Sequence, residues 1–377
     1  MKRTDATILF TCRDAGAAHQ IKEIMPAFKA RGLRTVLAAS GAALVILKDA
    51  GLRPKKFDEP GDDEKLIDKS LVLLAGSLPS AVFCGLTTIG HGIDEAVLYW
   101  ASPERLDIPS FQFLDSWGTF NTMRGCGPSV YFAMDRDFAR FAKKPSPPIV
   151  VTGSPKHYAY SGRDVYSMRL KARKMLGLAE GEKLVAYFGQ MPSVPGHWDN
   201  FRILADAFRD CDGGKACKYR FALRPHPAYK EDYRPYKRYL EKNKVQYIDA
   251  SRFRRVEELI CGCDVAATCY STSAIDHAYL SAYSSKPIGT VLYLLAGKRI
   301  KSYLNKNFGY VRNPLLERGI GYCVQDKDEA VPLLSSLLDG EAPAVKYFKM
   351  TKRLSVKEPC SKIVDTVLDH IRRRYGG

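Results

Sequence analysis

The first regular segment of the chain reads Ala6-Thr7-Ile8-Leu9-Phe10-Thr11. A short and continuous apolar run of this kind predicts a strand that is buried on both faces of a sheet. A loop of small residues follows it, and residues 19–31 then show the spacing of an amphipathic helix that ends at Gly32. A strand, a tight loop and a helix in this order are the repeating unit of a parallel α/β sheet.

The same unit recurs along the whole chain. Further strands are predicted in the first half at Thr35–Ala39, Ser80–Cys84, Ser110–Leu114, Val130–Met134 and Ile149–Gly153. After a junction at residues 154–182, more are predicted at Lys183–Phe188, Tyr219–Leu223, Val245–Ile248, Asp264–Thr268, Pro287–Leu292 and Tyr322–Val324. We therefore expect an α/β fold with two Rossmann-like domains, residues 1–160 and 161–350, which face a central cleft that holds the ligand. A basic terminal helix at 351–377 is expected to cross back.

The composition narrows the class of protein and of partner. The chain has 377 residues, 46% apolar and 26% charged, which excludes disorder, collagen and coiled coil as its main character. Lys and Arg number 58 against 41 Asp and Glu, so the net charge is +17. Residues 1–160 carry only +3 of this charge, and residues 161–377 carry +14. The excess points to an anionic partner: nucleic acid, an acidic membrane surface or a phosphorylated substrate.

Cysteine usage and hydropathy indicate a cytoplasmic protein. The ten cysteines form no spaced CxxC pairs, so no metal site is expected, and the reducing cytoplasm is the compartment indicated. No signal peptide is apparent, and no apolar stretch reaches the roughly 18–20 residues that span a bilayer. Residues 345–374 hold nine basic and three acidic side chains. They form either a solvated surface or a peripheral contact with the anionic inner face of the membrane.

Three loops after predicted strands of the first domain carry candidate catalytic residues. Asp14 lies in the loop Thr11 to His19, His91 lies between Gly90 and Gly92, and Asp115 directly follows a strand. The carboxyl ends of parallel strands are where α/β sites collect their polar groups. The alternative for the aspartates is a structural role, as a helix cap or within a loop pinned by Trp117. A histidine between glycines is hard to bury, which favours a functional role for His91.

The second domain carries candidate phosphate-binding residues. Gly189 and Gln190 open a long loop whose backbone donors could hold a phosphate. Arg224-Pro225-His226-Pro227 places a histidine between prolines straight after a strand. Ser271-Thr272-Ser273 places three hydroxyls at a helix start, where free amides also suit phosphate oxygens. Helix capping is the bland alternative for the serines, but the two segments follow strands of the same domain.

At these residues the chain resembles a glycosyltransferase of the GT-B class. Arg224-Pro225-His226-Pro227 is similar to the His-Pro motif of bacterial sialyltransferases and related capsule transferases, and Ser271-Thr272-Ser273 to their Ser-Ser/Thr motif. The resemblance implies two Rossmann-like domains, an acceptor domain followed by a donor domain, and motifs that bind the nucleotide's phosphate and sugar. Asp276 is the acidic residue nearest to the place where the resemblance implies a ribose-binding segment, and CMP, CDP and UDP all remain open.

The resemblance implies an enzyme that moves a sugar from a nucleotide-activated donor to a glycan, lipid-linked or surface-polysaccharide acceptor. No metal or other cofactor is expected. In an inverting displacement a base deprotonates the acceptor hydroxyl, and Asp14, His91 and Asp115 are the candidates, unranked. The alternative is a non-hydrolysing UDP-N-acetylglucosamine 2-epimerase of the same architecture. A third reading, a binding protein for nucleic acid or membranes without chemistry, rests on charge alone, and no nucleic-acid partner is expected.

Overall fold

The computed structural model describes residues 6–142, 146–212, 218–226, 233–253, 255–354 and 357–376. The chain forms two compact units. One comprises Met1–Ala159 together with Ser355–Gly377, and the other comprises Tyr160–Leu354. The terminal segment is therefore part of the first unit, although it follows the second unit in sequence.

Each unit is built on a sheet whose described strand pairs are all parallel. The strands are β1 Thr7–Cys12, β2 Arg34–Ala39, β3 Lys55–Lys56, β4 Ala81–Cys84, β5 Ser110–Leu114, β6 Val130–Ala133, β7 Ile149–Val151, β8 Lys183–Phe188, β9 Tyr219–Arg224, β10 Tyr247–Asp249, β11 Val265–Thr268, β12 Thr290–Leu294 and β13 Tyr322–Val324.

Helices connect these strands. They are α1 Ala15–Ala30, α2 Gly41–Asp49, α3 Asp63–Ser77, α4 Ile93–Ala101, α5 Phe138–Phe141, α6 Pro155–Tyr158, α7 Val165–Met175, α8 His197–Asp212, α9 Arg234–Lys242, α10 Val256–Gly262, α11 Ser273–Tyr283, α12 Lys298–Phe308, α13 Pro314–Glu317, α14 Ala330–Asp339, α15 Ala342–Thr351 and α16 Cys360–Tyr375. Short 3₁₀ turns lie at Ala250–Arg252 and Lys327–Glu329. None of the described helices combines the length and apolarity that crossing a membrane requires.

The two sheets have the same topology over six strands. The first runs β3-β2-β1-β4-β5-β6-β7, and the second runs β10-β9-β8-β11-β12-β13. In each sheet the strand order reverses between two neighbours, β1 and β4 in the first unit and β8 and β11 in the second. Loops that leave two such strands diverge to opposite faces, so the carboxyl ends of these strands form the crevice in which open α/β sheets bind ligands.

The core of the first unit explains why the terminal helix belongs to it. Phe10, Phe83 and Phe132 on the sheet pack with ring centroids 5.5 and 5.8 Å apart, and Phe28 of α1 packs edge-on against Phe10. The apolar face of α16, which includes the fully buried Ile363, joins this cluster. The helix therefore completes a core that the first 159 residues leave open.

The prediction of two Rossmann-like α/β domains is confirmed, and most predicted strands agree within one or two residues. Helix α1 begins at Ala15 instead of residue 19, because the small residues of the loop form its first turn. Helix α3, at Asp63–Ser77, was not predicted. Strand β12 covers Thr290–Leu294 instead of Pro287–Leu292, because Gly289 has a positive φ that an extended strand does not accept.

Candidate functional site

The three predicted loops of the first unit meet at the carboxyl ends of β1, β4 and β5. The carboxylate of Asp14 accepts a hydrogen bond of 2.8 Å from the backbone amide of Thr88. Asp115 lies against Gly16 in the first turn of α1, so closely that a β-carbon at residue 16 would collide with its carboxylate. Asn121 donates to the carbonyl oxygens of Thr87 and Gly90 at 2.9 and 2.6 Å. Asp14, His91 and Asp115 are therefore carried by loops that contact one another.

Arg13 fastens the loop that carries His91. Its guanidinium donates to the carbonyl oxygen of His91 at 3.0 Å and pairs with the carboxylate of Glu59 at 3.2 Å. Glu59 in turn accepts hydrogen bonds from Ser40 and from the backbone amide of Ile93. Neither Arg13 nor Glu59 was predicted, because the loops that they contact are neighbours in space and far apart in sequence.

The imidazole of His91 is paired with a carboxylate. Its Nδ1 lies 2.8 Å from Oδ2 of Asp63, the first residue of α3. The His91 side chain is 29% exposed and that of Asp63 is 55% exposed, so solvent reaches the pair. Asp63 was missed because α3 was missed, although the acidic run of residues 62–64 is a sequence signal for a helix start.

Two buried carboxylates lie beneath these loops. Asp94 accepts hydrogen bonds from the Thr11 hydroxyl at 2.6 Å and from the backbone amides of Arg13 and Gly85 at 3.1 and 2.9 Å. Glu95 accepts from the backbone amides of Thr87 and Gly92, both at 3.0 Å. Burial raises the pKa of both carboxyl groups, and their mutual proximity raises the pKa of Glu95 further. Their described contacts hold loop backbones, which is a structural role.

In the second unit, a hydrogen-bonded bridge joins the loops after β8 and β11. The Gln190 side chain donates to the hydroxyl of Thr268 at 2.7 Å, and that hydroxyl also accepts from the backbone amide of Ser271 at 3.2 Å. Gln190 is buried, so its side chain holds the bridge together. The predicted phosphate-binding segments at residues 189–190 and 271–273 are thus brought together at the point where the strand order reverses.

The serine and threonine hydroxyls differ in their surroundings. The Ser271 hydroxyl accepts from the Ser273 amide at 3.2 Å and donates to the Ser273 hydroxyl at 3.1 Å. Thr272 is the N-cap residue of α11, is exposed, and uses its side chain for no capping hydrogen bond. The Thr272 hydroxyl is therefore the one of the three that is best placed to meet a ligand from solvent.

Tyr233 covers Gly189. Its ring and hydroxyl lie where a β-carbon at residue 189 would be, and the hydroxyl donates to the Gln190 carbonyl oxygen at 2.8 Å. Burial raises the pKa of the Tyr233 phenol well above its usual value, so the hydroxyl stays a donor at neutral pH. Only glycine fits at position 189, and the predicted role of Gly189 in phosphate binding stays a prediction.

The remaining predicted residues of this unit have structural contacts. Arg224 donates to the carbonyl oxygens of Ala250 and Phe253 at 2.7 and 2.5 Å, and burial lowers the pKa of its guanidinium. Asp276 is buried in the first turn of α11 and accepts from the Tyr160 hydroxyl at 3.2 Å. His226 follows strand β9 and is half-buried. Pro227, the last residue of that motif, lies outside the described residues.

A cavity of about 310 Å³ lies in the second unit, beside the carboxyl ends of β12 and β13. Its charged lining residues are Lys298, Arg299 and Lys327 with Asp199 and Asp326. It was not predicted, because its walls come from three segments that are far apart in sequence, at the starts of α8 and α12 and at residues 326–327. Within the described ranges, no three His, Cys, Asp or Glu side chains are grouped so that they could hold a metal ion.

No family model and no curated protein matches the sequence of the chain. Solved structures do resemble it. UDP-GlcNAc 2-epimerase from Neisseria meningitidis, bound to UDP-GlcNAc, has a TM-score of 0.72 at 12% identity, covering 96% of this chain and 100% of that one. HepE from Anabaena, with UDP and glucose, gives 0.62 at 14% identity, covering 97% and 100%. MurG from Acinetobacter baumannii gives 0.59 at 10% identity, covering 97% and 99%.

Similarity at 10–14% identity over nearly the full length of both chains concerns the fold. It supports the GT-B architecture that the sequence resemblance implied. The His-Pro and Ser-Ser/Thr motifs receive no such support, so the roles of Arg224, His226 and residues 271–273 stay predictions. The chain has the two-unit GT-B fold.

Proposed function

We propose that the protein is an enzyme that acts on a nucleotide-activated sugar, and that it transfers the sugar to a hydroxyl group of a glycan, lipid-linked or polysaccharide acceptor. One observation carries this proposal. An exposed hydroxyl, that of Thr272, and the N-terminus of the eleven-residue helix α11 lie at the point where the second sheet reverses its strand order. Such a place suits the phosphate groups of a nucleotide.

The chemistry follows from charge. In the transfer, the acceptor oxygen forms a bond to the anomeric carbon while the bond from that carbon to the phosphate oxygen breaks. The leaving nucleotide keeps the electron pair and gains negative charge. The helix dipole of α11 and the Thr272 hydroxyl stabilise that charge, so the proposed mechanism requires no metal. The net charge of +14 on residues 161–377 favours the capture of an anionic donor.

UDP is the nucleotide to test first, because similar structures are described as complexes with UDP or UDP-GlcNAc. Epimerisation is the second candidate. The TM-scores to structures described as UDP-GlcNAc 2-epimerases, 0.62 to 0.72, exceed the 0.59 to MurG. An epimerase interconverts two isomers of a nucleotide sugar without an acceptor, whereas a transferase consumes the donor only with one.

One experiment separates the two activities. The purified chain is incubated with UDP-, CDP- and CMP-linked sugars, with and without a panel of glycan and lipid-linked acceptors, and the products are analysed by NMR and mass spectrometry. We expect free nucleotide in equal amount with a glycosylated acceptor. Formation of an isomeric nucleotide sugar without acceptor would support epimerisation, and no binding of any nucleotide would contradict both.

The variant Thr272→Val tests the role of α11. It removes the hydroxyl at nearly constant shape, and we expect the affinity for UDP to fall about 10- to 150-fold, since a hydrogen bond to a charged group contributes about 1.5–3 kcal/mol. Isothermal titration calorimetry measures the loss. Ser336→Ala on the exposed side of α14 is the matched control and should leave the affinity unchanged.

A further inference from the structure

The first unit carries three candidate bases, and they have different surroundings. The Asp14 carboxylate accepts a backbone amide from Thr88, and Asp115 lies against the first turn of α1. Both carboxylates therefore lie against backbone of the first unit. His91 has a carboxylate, Asp63, on its Nδ1 at 2.8 Å. A base whose second nitrogen is held by an orienting acid is the arrangement that general-base catalysis by histidine requires.

The pair fixes the tautomer of His91. A carboxylate at neutral pH only accepts hydrogen bonds, so Nδ1 carries the proton and donates it to Asp63 Oδ2. The lone pair of Nε2 is then left to take a proton from another molecule. The His91 side chain is 29% exposed, so a substrate can approach the imidazole.

A helix-capping role does not account for Asp63. The N-cap of α3 is Asp62, whose Oδ1 accepts a hydrogen bond of 3.0 Å from the Lys65 amide. The helix start is therefore satisfied without the Asp63 carboxylate. The Asp63 carboxylate contacts Nδ1 of His91 instead.

The backbone around His91 is fastened on both sides. Arg13 donates to the His91 carbonyl oxygen, and Asn121 donates to that of Gly90 at 2.6 Å. On the other side, the Gly92 amide donates to the buried carboxylate of Glu95 at 3.0 Å. A loop held at three points keeps the imidazole in place before substrate binds, as a catalytic group requires.

We propose that His91 is the base that deprotonates the acceptor hydroxyl and that Asp63 is its positioning residue, an inference that rests on the proposed glycosyl transfer. The acceptor's proton passes to Nε2 as the oxygen bonds to the anomeric carbon, and the nucleotide leaves with the electron pair. The imidazolium is stabilised by Asp63 and loses its proton to water after each turnover. Asp14 and Asp115 then hold loop structure.

Variants at the pair test this assignment. His91→Gln should lower kcat about 10²–10⁴-fold with little change in UDP affinity, since the nucleotide is proposed to bind in the second unit. Asp63→Asn should lower kcat about 10- to 100-fold, and Asp63→Glu should restore part of the loss. Asp68→Asn, on the exposed side of the same helix, is the control and should leave kcat unchanged.

The pH–rate profile separates positioning from a structural role. Without the Asp63 carboxylate the imidazolium is less stable, so the acidic limb of kcat should move to lower pH in Asp63→Asn. The other charged groups around the loop are Arg13, Asp14 and Glu59 and the buried Asp94 and Glu95, and they are the same in both proteins. A variant that loses activity with an unmoved limb would overturn the positioning role.

A measurement without turnover completes the test. Imidazole ¹⁵N shifts at neutral pH should show the Nδ1–H tautomer for His91 in the wild type and a shift toward Nε2–H in Asp63→Asn, with His91→Gln giving the assignment among the seven histidines. An Nε2–H tautomer in the wild type would overturn the inference. If the wild type transfers sugar and His91→Gln keeps full activity, the assignment of His91 as the base is overturned and the proposed function is not. A wild type that transfers none overturns the proposed function as well.

Discussion

Two glycines make room for side chains at the carboxyl ends of the sheets. Gly189 leaves room for the ring of Tyr233, and Gly16 leaves room for the Asp115 carboxylate. In both places a methyl group would occupy space that another side chain already fills. The loops at the ends of β8 and β1 therefore depend on the absence of a β-carbon at these two positions.

The first prediction concerns Gly189→Ala. The added methyl group would displace Tyr233 and strain the Gln190 loop, which costs about 1–3 kcal/mol of folding free energy. Urea unfolding followed by the fluorescence of Trp198, the tryptophan of that unit, measures it. Gly61→Ala is the control, since no atom lies within 4 Å of its added carbon. Equal stability of the two variants would contradict the packing described.

The second prediction concerns pH and the buried Asp94. Its folded-state pKa is raised above the ordinary value of about 4, so the folded chain binds the proton more tightly than the unfolded chain. The resulting stability is present at acidic pH and is lost as pH rises through the raised value. Asp94→Asn does not titrate, but its NH₂ group, which replaces Oδ2, cannot accept the hydrogen bond from the Arg13 backbone amide.

Asp94→Asn should therefore be less stable than the wild type near pH 5, by about 1–3 kcal/mol, and the difference should narrow toward pH 8. Denaturant unfolding at several pH values measures both proteins. The exposed Asp68→Asn should show a constant offset from the wild type across the range. A gap for Asp94→Asn that widens with rising pH would contradict the direction of the pKa shift.

At the level of elements, α16 joins sequence-distant parts of the chain. Its apolar face is buried in the first unit, and Arg31 of that unit pairs with Asp365 on the helix at 2.7 Å. Within the basic segment 345–374, Tyr347 and Leu354 are buried too. Membrane contact through this segment stays a prediction, and it would rely on charge more than on these apolar side chains.

The third prediction is that Ile363→Ala destabilises the first unit. The side chain is fully buried, and deleting it leaves a cavity that costs about 2–5 kcal/mol. Hydrogen exchange read by mass spectrometry should show faster exchange in β1, β4 and α1. Arg373→Ala, at an exposed position of the same helix, is the control. Unchanged exchange in the first unit would mean that α16 does not complete that core.

For the whole molecule, the fourth prediction is that UDP binds the second unit. At 100 times its dissociation constant, a bound nucleotide adds about 2.7 kcal/mol of stability. Hydrogen exchange should slow at residues 188–190 and 268–276, while β1, β4 and β5 of the first unit exchange as before. Slowing confined to the first unit would contradict the proposal that the second unit binds the nucleotide.

The sequence was sufficient for much of the architecture because strand burial leaves a local pattern. Runs such as Lys183–Phe188 and Ser110–Leu114 are mainly apolar, and the structure has strands with those bounds. Helices α3 and α12 were not predicted, although residues 62–64 signal the start of α3 and Ile300, Leu304 and Phe308 have helical spacing in α12. The proximity of the loops that carry Asp14, His91 and Asp115 could be predicted because polar residues after strands collect at one edge of a sheet, and the roles of these residues stay predictions.

The sequence by itself determined the alternating α/β pattern, the two-domain organisation, the uneven charge and the loops that carry polar side chains. These features are local, so neighbouring residues suffice to show them. Only the tertiary structure placed Asp63 beside His91, Arg13 beneath that loop, Tyr233 over Gly189 and α16 in the first core. Each of these contacts joins residues 28 to more than 300 positions apart, and chain folding, which sequence spacing does not encode, brings them together.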